Sequence, residues 1–396
     1  MSKETEETNA KLSEKLNDMV SNAISKIADF NKQGVMVLTL FIVFLTVLAI
    51  VCVSMYINWI LYKKADYGCK IITLVPTSLS SIDTSDTYSY PVNFYYIKTA
   101  YNCCSEGSYV NDYVNLCILE KIISQGVRCF DFEIFNINDI AVVSTSSNNN
   151  YWVKETFNYV VFSEALEKII GQAFNSSYCS NYSDPVFISL RMKTNNINVY
   201  NNLAKLFKIY TTQYLLEDKY NYSNNENNFC ATVPLNLLMK KIVIMVNSPN
   251  AILPTSELDE FVNINTGPST YFFKYVPFSV IKTNYDDETI LYTTEKAIFV
   301  SPDIENGNPI NPESTLCFKL GVQFIGMAFQ NNDSYLQAYQ AFFDKYKHAF
   351  IMKNELLLPK KYNLQISVPG AESDPNKCNE IKMGDKVITT FGTGCE

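Results

Sequence analysis

The sequence predicts an α/β fold, a TIM-like (β/α)8 barrel preceded by an amphipathic helix and one transmembrane helix. Three observations predict it. Continuous apolar strand-like runs alternate with amphipathic helical stretches between residues 92 and 358, the pattern of a parallel sheet covered by helices. Seven or eight such units fit a closed barrel better than an open sheet. Ahead of them, residues 35–57 (VMVLTLFIVFLTVLAIVCVSMYI) form an apolar run without one charge.

In chain order, residues 10–31 come first. Leu12, Leu16, Met19, Val20, Ile24, Ile27 and Phe30 recur at three-to-four spacing, which predicts an amphipathic helix within a segment spanning 1–33. Its apolar stripe has three possible destinations: a second copy, the membrane surface or a partner helix. The span follows over 34–62, long enough for a bilayer core, with Trp59, Tyr62, Lys63 and Lys64 as its aromatic and cationic edge. The run starts too late and is too long for a cleaved signal. Lys26 and Lys32 before it, against Lys63, Lys64 and Lys70 after it, lean faintly toward a cytosolic C-terminal domain. The cysteines and the sequons at Asn175, Asn181, Asn221 and Asn332 lean the other way.

A Ser/Thr-rich linker is expected over 63–91. Strands are then expected at 94–98, 128–135, 140–144, 186–192, 241–247, 296–301 and 322–329, with helices near 110–124, 161–174, 196–209 and 333–346. Residues 250–290 read as an irregular middle, and 359–396 as a tail that Cys378 and Cys395 could staple in an oxidising compartment.

Composition excludes several functions. Lys and Arg total 32 against 40 Asp and Glu, a formal charge of -8, which argues against nucleic acid as partner. Eleven cysteines contain no CxxC pair, so a structural zinc is not expected. Abundant Asn, Tyr, Ile and Lys with only two arginines, Arg128 and Arg191, is the usage of an AT-rich coding genome, such as that of a protist, an insect virus or a large DNA virus.

Seven segments, in order, carry a family resemblance. YYIKTAYN (95–102) resembles Y-x-I-x-S-S-H-N, GVRCFDFEIFN (126–136) resembles G-C-R-C-h-E-h-D-x-W-D (h, apolar), and DPVFISLRMK (184–193) resembles Y-P-V-I-L-S-L-E-x-H. KKIVIMVN (240–247), AIFVSP (297–302), GVQFIGMAFQ (321–330) and AFIMKNELL (349–357) are similar to K-I-L-L-K-x-K, L-S-R-x-Y-P, G-x-Q-h-V-A-L-N-F-Q and G-Y-V-L-K-P-x-F-L. Together these resemble the catalytic barrel of eukaryotic phosphoinositide-specific phospholipase C, over residues 92–358.

The resemblance implies a Ca²⁺-dependent phosphodiesterase, and the departures fall where its chemistry belongs. Tyr101 stands at the first catalytic histidine, and Ser144, Thr145 and Ser146 stand where the second is expected. The family's four Ca²⁺ ligands correspond to Asn102, Asp131, Glu133 and Arg191, so one donor has become a cation. Met245 and Asn247 replace two head-group lysines, Phe299 an arginine and Ser301 a tyrosine. The chain's one histidine, His348, is far in sequence from all of these.

Asp131 and Glu133 alternate along one strand and share a face, where two carboxylates without a cation repel each other. Arg191 is expected to satisfy both in place of Ca²⁺. The favoured reading is therefore a single-pass membrane protein with a catalytically dead barrel used for binding or scaffolding. Expected partners are the bilayer and a protein or second copy through residues 10–31, with no cofactor or metal. An active phosphodiesterase and a non-catalytic lipid head-group receptor are the rivals. The expected setting is a virion membrane, a minor capsid component or a host intracellular membrane.

Overall fold

The computed structural model describes residues 3–67, 77–148, 152–267, 270–283, 287–359, 379–383 and 386–390. The chain divides into two units, Met1–Gly68 and Cys69–Glu396.

The first unit is one helix, α1 (Lys3–Tyr67), 65 residues without interruption. The amphipathic segment and the apolar run, expected as separate elements, are thus continuous. The reason is local: α1 contains no proline, and its single glycine, Gly34, costs only about 1 kcal/mol in a helix interior. The helix also runs past residue 62 through Lys63, Lys64 and Ala65, all good helix formers. By length and composition it contains a stretch able to cross a membrane.

The second unit is built on eight parallel strands: β1 (Tyr95–Ala100), β2 (Cys129–Ile137), β3 (Val186–Met192), β4 (Ile242–Asn247), β5 (Ile264–Asn265), β6 (Phe273–Pro277), β7 (Ala297–Ser301) and β8 (Phe324–Met327). Hydrogen bonding runs β5-β4-β3-β2-β1-β8-β7-β6, and among the described residues β5 and β6 do not pair. The result is a nearly closed barrel with one seam. The seam falls in the stretch expected to be irregular, where β5 and β6 were not anticipated. Three antiparallel strands flank the barrel: Ile140–Ser144 hairpins onto β2, Val160–Val161 pairs with Ile140–Ser144, and Phe350–Met352 lies along β1.

Helices α2 (Leu116–Ser124), α3 (Phe162–Ala173), α4 (Ile197–Tyr210) and α5 (Ser334–Tyr346) coincide with the four helical patterns. The first begins later than expected because Asn115 caps it, its side chain accepting from Cys117 N. Asp333 caps α5 the same way, accepting from Leu336 N at 2.8 Å.

One apolar cluster lies between strands and helices, and a second fills the barrel. The filling is aromatic: Phe187 packs edge-on against Phe324, and Phe299 stacks on Tyr275 with centroids 4.6 Å apart. Gly326 makes room, because a Cβ there would stand 2.9 Å from Phe299 Cε1.

The expected linker over 63–91 is corrected beyond its undescribed part. Residues 77–92 are a strap packed into the base of the barrel, with Leu79, Ile82 and Val92 all at most 2% exposed. Its backbone is tied down: Ile82 N donates to Asp184 Oδ1 at 2.7 Å, and Ser80 N donates to Lys347 O at 2.7 Å. Gly126, at φ +71°, leaves the space that Leu79 fills, since a Cβ would come within 2.8 Å of Leu79 Cδ1. The Ser/Thr-rich composition masked a few apolar anchors.

His348 lies at this base, its Nδ1 3.1 Å from Ser80 O, and takes no part in the opposite face. Arg128 is a buried strut nearby, with NH1 donating to Ala173 O and NH2 to Asn181 Oδ1, each at 2.9 Å. Asn181 and Asn221 are therefore buried sequons, whereas Asn175 and Asn332 are exposed. Cys117 is disulfide-bonded, while Cys52, Cys103, Cys104, Cys129, Cys179, Cys230 and Cys317 are free. Cys378 and Cys395 lie outside the described residues. In the expected tail, Asn379–Met383 and Lys386–Thr390 form an antiparallel hairpin.

Lys98, on β1, is fully buried and donates from Nζ to Gln125 O at 2.7 Å. Burial lowers its pKa to about 8, with Asp344 and Cys179 opposing. A lysine depressed in the fold destabilises it while charged, so its contribution improves as pH rises from about 8 toward its unfolded value. Changing Lys98 to methionine removes this dependence. The stability difference between variant and wild type should shift by about 2 kcal/mol in favour of wild type between pH 7 and pH 9.5. Denaturant melts at the two pH values read that shift, and parallel melting of the two proteins would refute it.

Candidate functional site

The mouth of the barrel is formed by the C-terminal ends of the strands, where sites of this architecture are built. β2 and β3 run parallel with Asp131 opposite Ser189 and Glu133 opposite Arg191. Because side chains alternate along a strand, all four reach the same face.

Arg191 is the centre of the arrangement. Its Nε donates to Asp131 Oδ1 at 3.0 Å, and its NH2 lies 2.9 Å from the same oxygen. NH1 reaches Glu133 Oε1 at 2.5 Å, and NH2 donates to Asn102 Oδ1 at 2.6 Å. Asn102 follows β1 at φ +47°, a conformation asparagine tolerates better than most residues. Above the guanidinium lies the Tyr101 ring, 4.1 Å from Cζ to ring centroid, a cation–π stack.

The carboxylates are satisfied on their other sides. Ser189 Oγ donates to Asp131 Oδ2 at 2.9 Å, and Ser146 donates to Glu133 Oε2 from N at 2.8 Å and from Oγ at 3.1 Å. Lys193 Nζ stands 3.9 Å from Glu133 Oε1. The buried set thus balances, two cations against two carboxylates. Burial opposes the charge on Arg191, yet the neighbouring carboxylate of Asp131 helps hold its pKa well above the ordinary value. Burial lowers Lys193 to about 8, with Glu133 pulling it back up.

The two places where the resemblance implies histidine, Tyr101 and Ser144 to Ser146, lie at this mouth. Tyr101 is wholly buried, and burial pushes its phenol far above its ordinary pKa, with Arg191 pulling back, so it is a poor base. Ser146 caps Glu133. Ser144 Oγ is hydrogen-bonded to Thr156 Oγ1, and Thr145 Oγ1 donates to Tyr109 O at 3.0 Å. No histidine is near enough to activate any of these hydroxyls, because His348 lies at the base.

The four positions that the resemblance matches to head-group contacts hold no cation. Met245 and Phe299 are buried in the barrel filling, Asn247 Nδ2 donates to Thr266 O at 2.9 Å, and Ser301 Oγ is buried without a hydrogen bond. The residues do not fit Ca²⁺. That ion takes six to eight oxygens, but the donors of Asn102, Asp131 and Glu133 already face a guanidinium. Among the described residues no group of three or more His, Cys, Asp or Glu side chains is placed to hold a metal.

Sequence reasoning missed Ser189 and Lys193, although both share Arg191's face by alternation, and it missed Tyr275, which lies on the unforeseen β6. Beside Arg191, over the β5–β6 seam, opens a cleft of about 550 Å³ lined in part by Trp152, Lys193, Asn247, Thr266 and Tyr275.

The barrel shares its fold with solved phospholipase C structures, and part of it resembles a phospholipase C family in sequence. Residues 88–248 match the family described as phosphatidylinositol-specific phospholipase C, X domain. Among solved structures, PLC21 of L. pealei superposes with a TM-score of 0.54 at 14% identity, covering 69% of this chain and 38% of its own. PLC21 of S. officinalis does so with a TM-score of 0.57 at 14% identity, over 79% of this chain and 42% of its own. This chain therefore spans about two fifths of the length of those proteins. No curated protein matches it in sequence.

Proposed function

We propose that this chain is a single-pass membrane protein whose phospholipase-C-like barrel binds or scaffolds and does not hydrolyse. One observation carries the reading: Arg191 consumes Asn102, Asp131 and Glu133 beneath the Tyr101 ring, leaving neither a metal-ready donor set nor a proton shuttle. The apolar run of α1 supports a membrane anchor, and residues 10–31 supply an assembly handle to a protein partner. The acidic balance supports partners other than nucleic acid. Composition supports an AT-rich source, and with it a place in the virion membrane or minor capsid of a large DNA virus.

The test is hydrolysis of phosphatidylinositol and of a soluble inositol phosphodiester by the full chain in detergent, with and without Ca²⁺. The expected result is no turnover above blank and no saturable Ca²⁺ binding by calorimetry. Turnover that disappears in Tyr101→Phe or Asp131→Asn would overturn the proposal.

A head-group receptor is the second reading, favoured by the cleft beside Arg191, where Thr266 Oγ1 is buried without a partner. Saturable binding of a soluble inositol phosphate by the full chain, lost when Thr266 and Trp152 are changed, would move the assignment there.

A further inference from the structure

The apolar stripe of α1 has a period that the three-to-four spacing alone does not express. Leu12, Leu16, Met19, Ala23, Ile27, Phe30 and then Gly34 follow in steps of four, three and four residues, twice over. That is an 11-residue repeat, which keeps a stripe on one side of an almost straight helix. The stripe is bare: Met19 is 72% and Phe30 76% exposed. The small residues Ala23 and Gly34 stand one repeat apart, and a Cβ at Gly34 would meet nothing within 4 Å.

We propose that this face docks against the same face of a second copy, parallel and in register, forming a two-helix stalk continuous with the span. The inference rests on the membrane-anchor reading above and adds the occupant and its orientation. Continuity of α1 through Gln33 and Gly34 argues against the membrane surface as occupant, since a helix that enters the bilayer without a break does not also lie along it. Two copies anchored in one membrane with the same orientation present their stripes in the same direction and at the same height.

Charge favours the same pairing. At 100° per residue, Lys15 and Lys26 border one edge of the stripe, and the apolar Val20 and Ile24 with Asn31 border the other. In a parallel pair each edge meets the opposite edge of its partner, so the lysine stems lie over Val20, Ile24 and Asn31 with no like charge opposite. An antiparallel pair would set the lysine edge against itself.

Cys52 offers a native reporter, because it is free, exposed and three repeats beyond Met19 on the same face. The experiment is copper-phenanthroline oxidation of the full chain in membranes, with carbonate extraction run in parallel. Expected is a disulfide-linked dimer that Cys52→Ser abolishes. In that background, Ile27→Cys should restore it and Ser25→Cys, on the opposite face, should not. Leu16→Glu should remove the Ile27→Cys dimer. Equal cross-linking at positions 25 and 27, or none at 27 in chain that resists carbonate, would overturn the proposal. Chain stripped by carbonate would overturn the anchor itself, a failure distinguishable from that of the stalk.

Discussion

Arg191→Ala should lower the stability of the barrel by about 3–5 kcal/mol, the usual cost of leaving buried charges without their partner. Asp131 and Glu133 are fully buried and would then repel each other with only Lys193 near Glu133. Arg191→Glu should be worse, because a third carboxylate enters the same space. The companion variant joins Arg191→Met to Asp131→Asn and Glu133→Gln. It removes charge from both sides and should regain most of the loss, since a buried ion pair exchanged whole for neutral groups is often nearly neutral in stability. Chemical denaturation of the full chain in detergent reads all three. An Arg191→Ala variant as stable as wild type would show that the guanidinium is not the strut it looks to be.

The strap gives the second large effect. Leu79→Ala and Ile82→Ala should each cost about 2–5 kcal/mol, the range for emptying a packed aliphatic site. A true linker residue would cost close to nothing. The two side chains belong to one cluster, so the double variant should depart from the sum of the singles. A barrel truncated to begin at residue 92 should fail to fold cooperatively, whereas one beginning at 77 keeps the base closed. Wild-type stability in either alanine variant would return residues 77–91 to the status of a tether.

Much of the mouth was legible in the chain because strands make alternation visible. Asp131, Glu133 and Arg191 announce a shared face by their spacing, and the apolar runs around them announce the strands. What spacing cannot show is how a side chain turns. Tyr101 lying flat on the guanidinium depends on packing around it, including the neighbouring ring of Tyr109 at 6.1 Å. The strap was hidden for a different reason. Two aliphatic side chains among serines and threonines carry no period, and their burial follows from a glycine almost 50 positions away in sequence, Gly126. β5 is two residues long, below the length at which a pattern can be read. The unity of α1 went unseen because two different periodic patterns meet without any helix-stopping residue between them.

The stack of Tyr101 on Arg191 also couples two positions to each other. By the resemblance, phospholipase chemistry would call for histidine at 101, an acid at 191 and a second histidine near Ser146. Histidine placed first at 101 removes the ring that covers the guanidinium. Glutamate placed first at 191 sets three carboxylates in one buried space with no arginine among them. Each single change is expected to be less stable than the starting point, and denaturant melts of Tyr101→His and Arg191→Glu would read that cost. On the reading proposed above, the two positions are locked together: neither changes without disturbing the partner that covers or neutralises it.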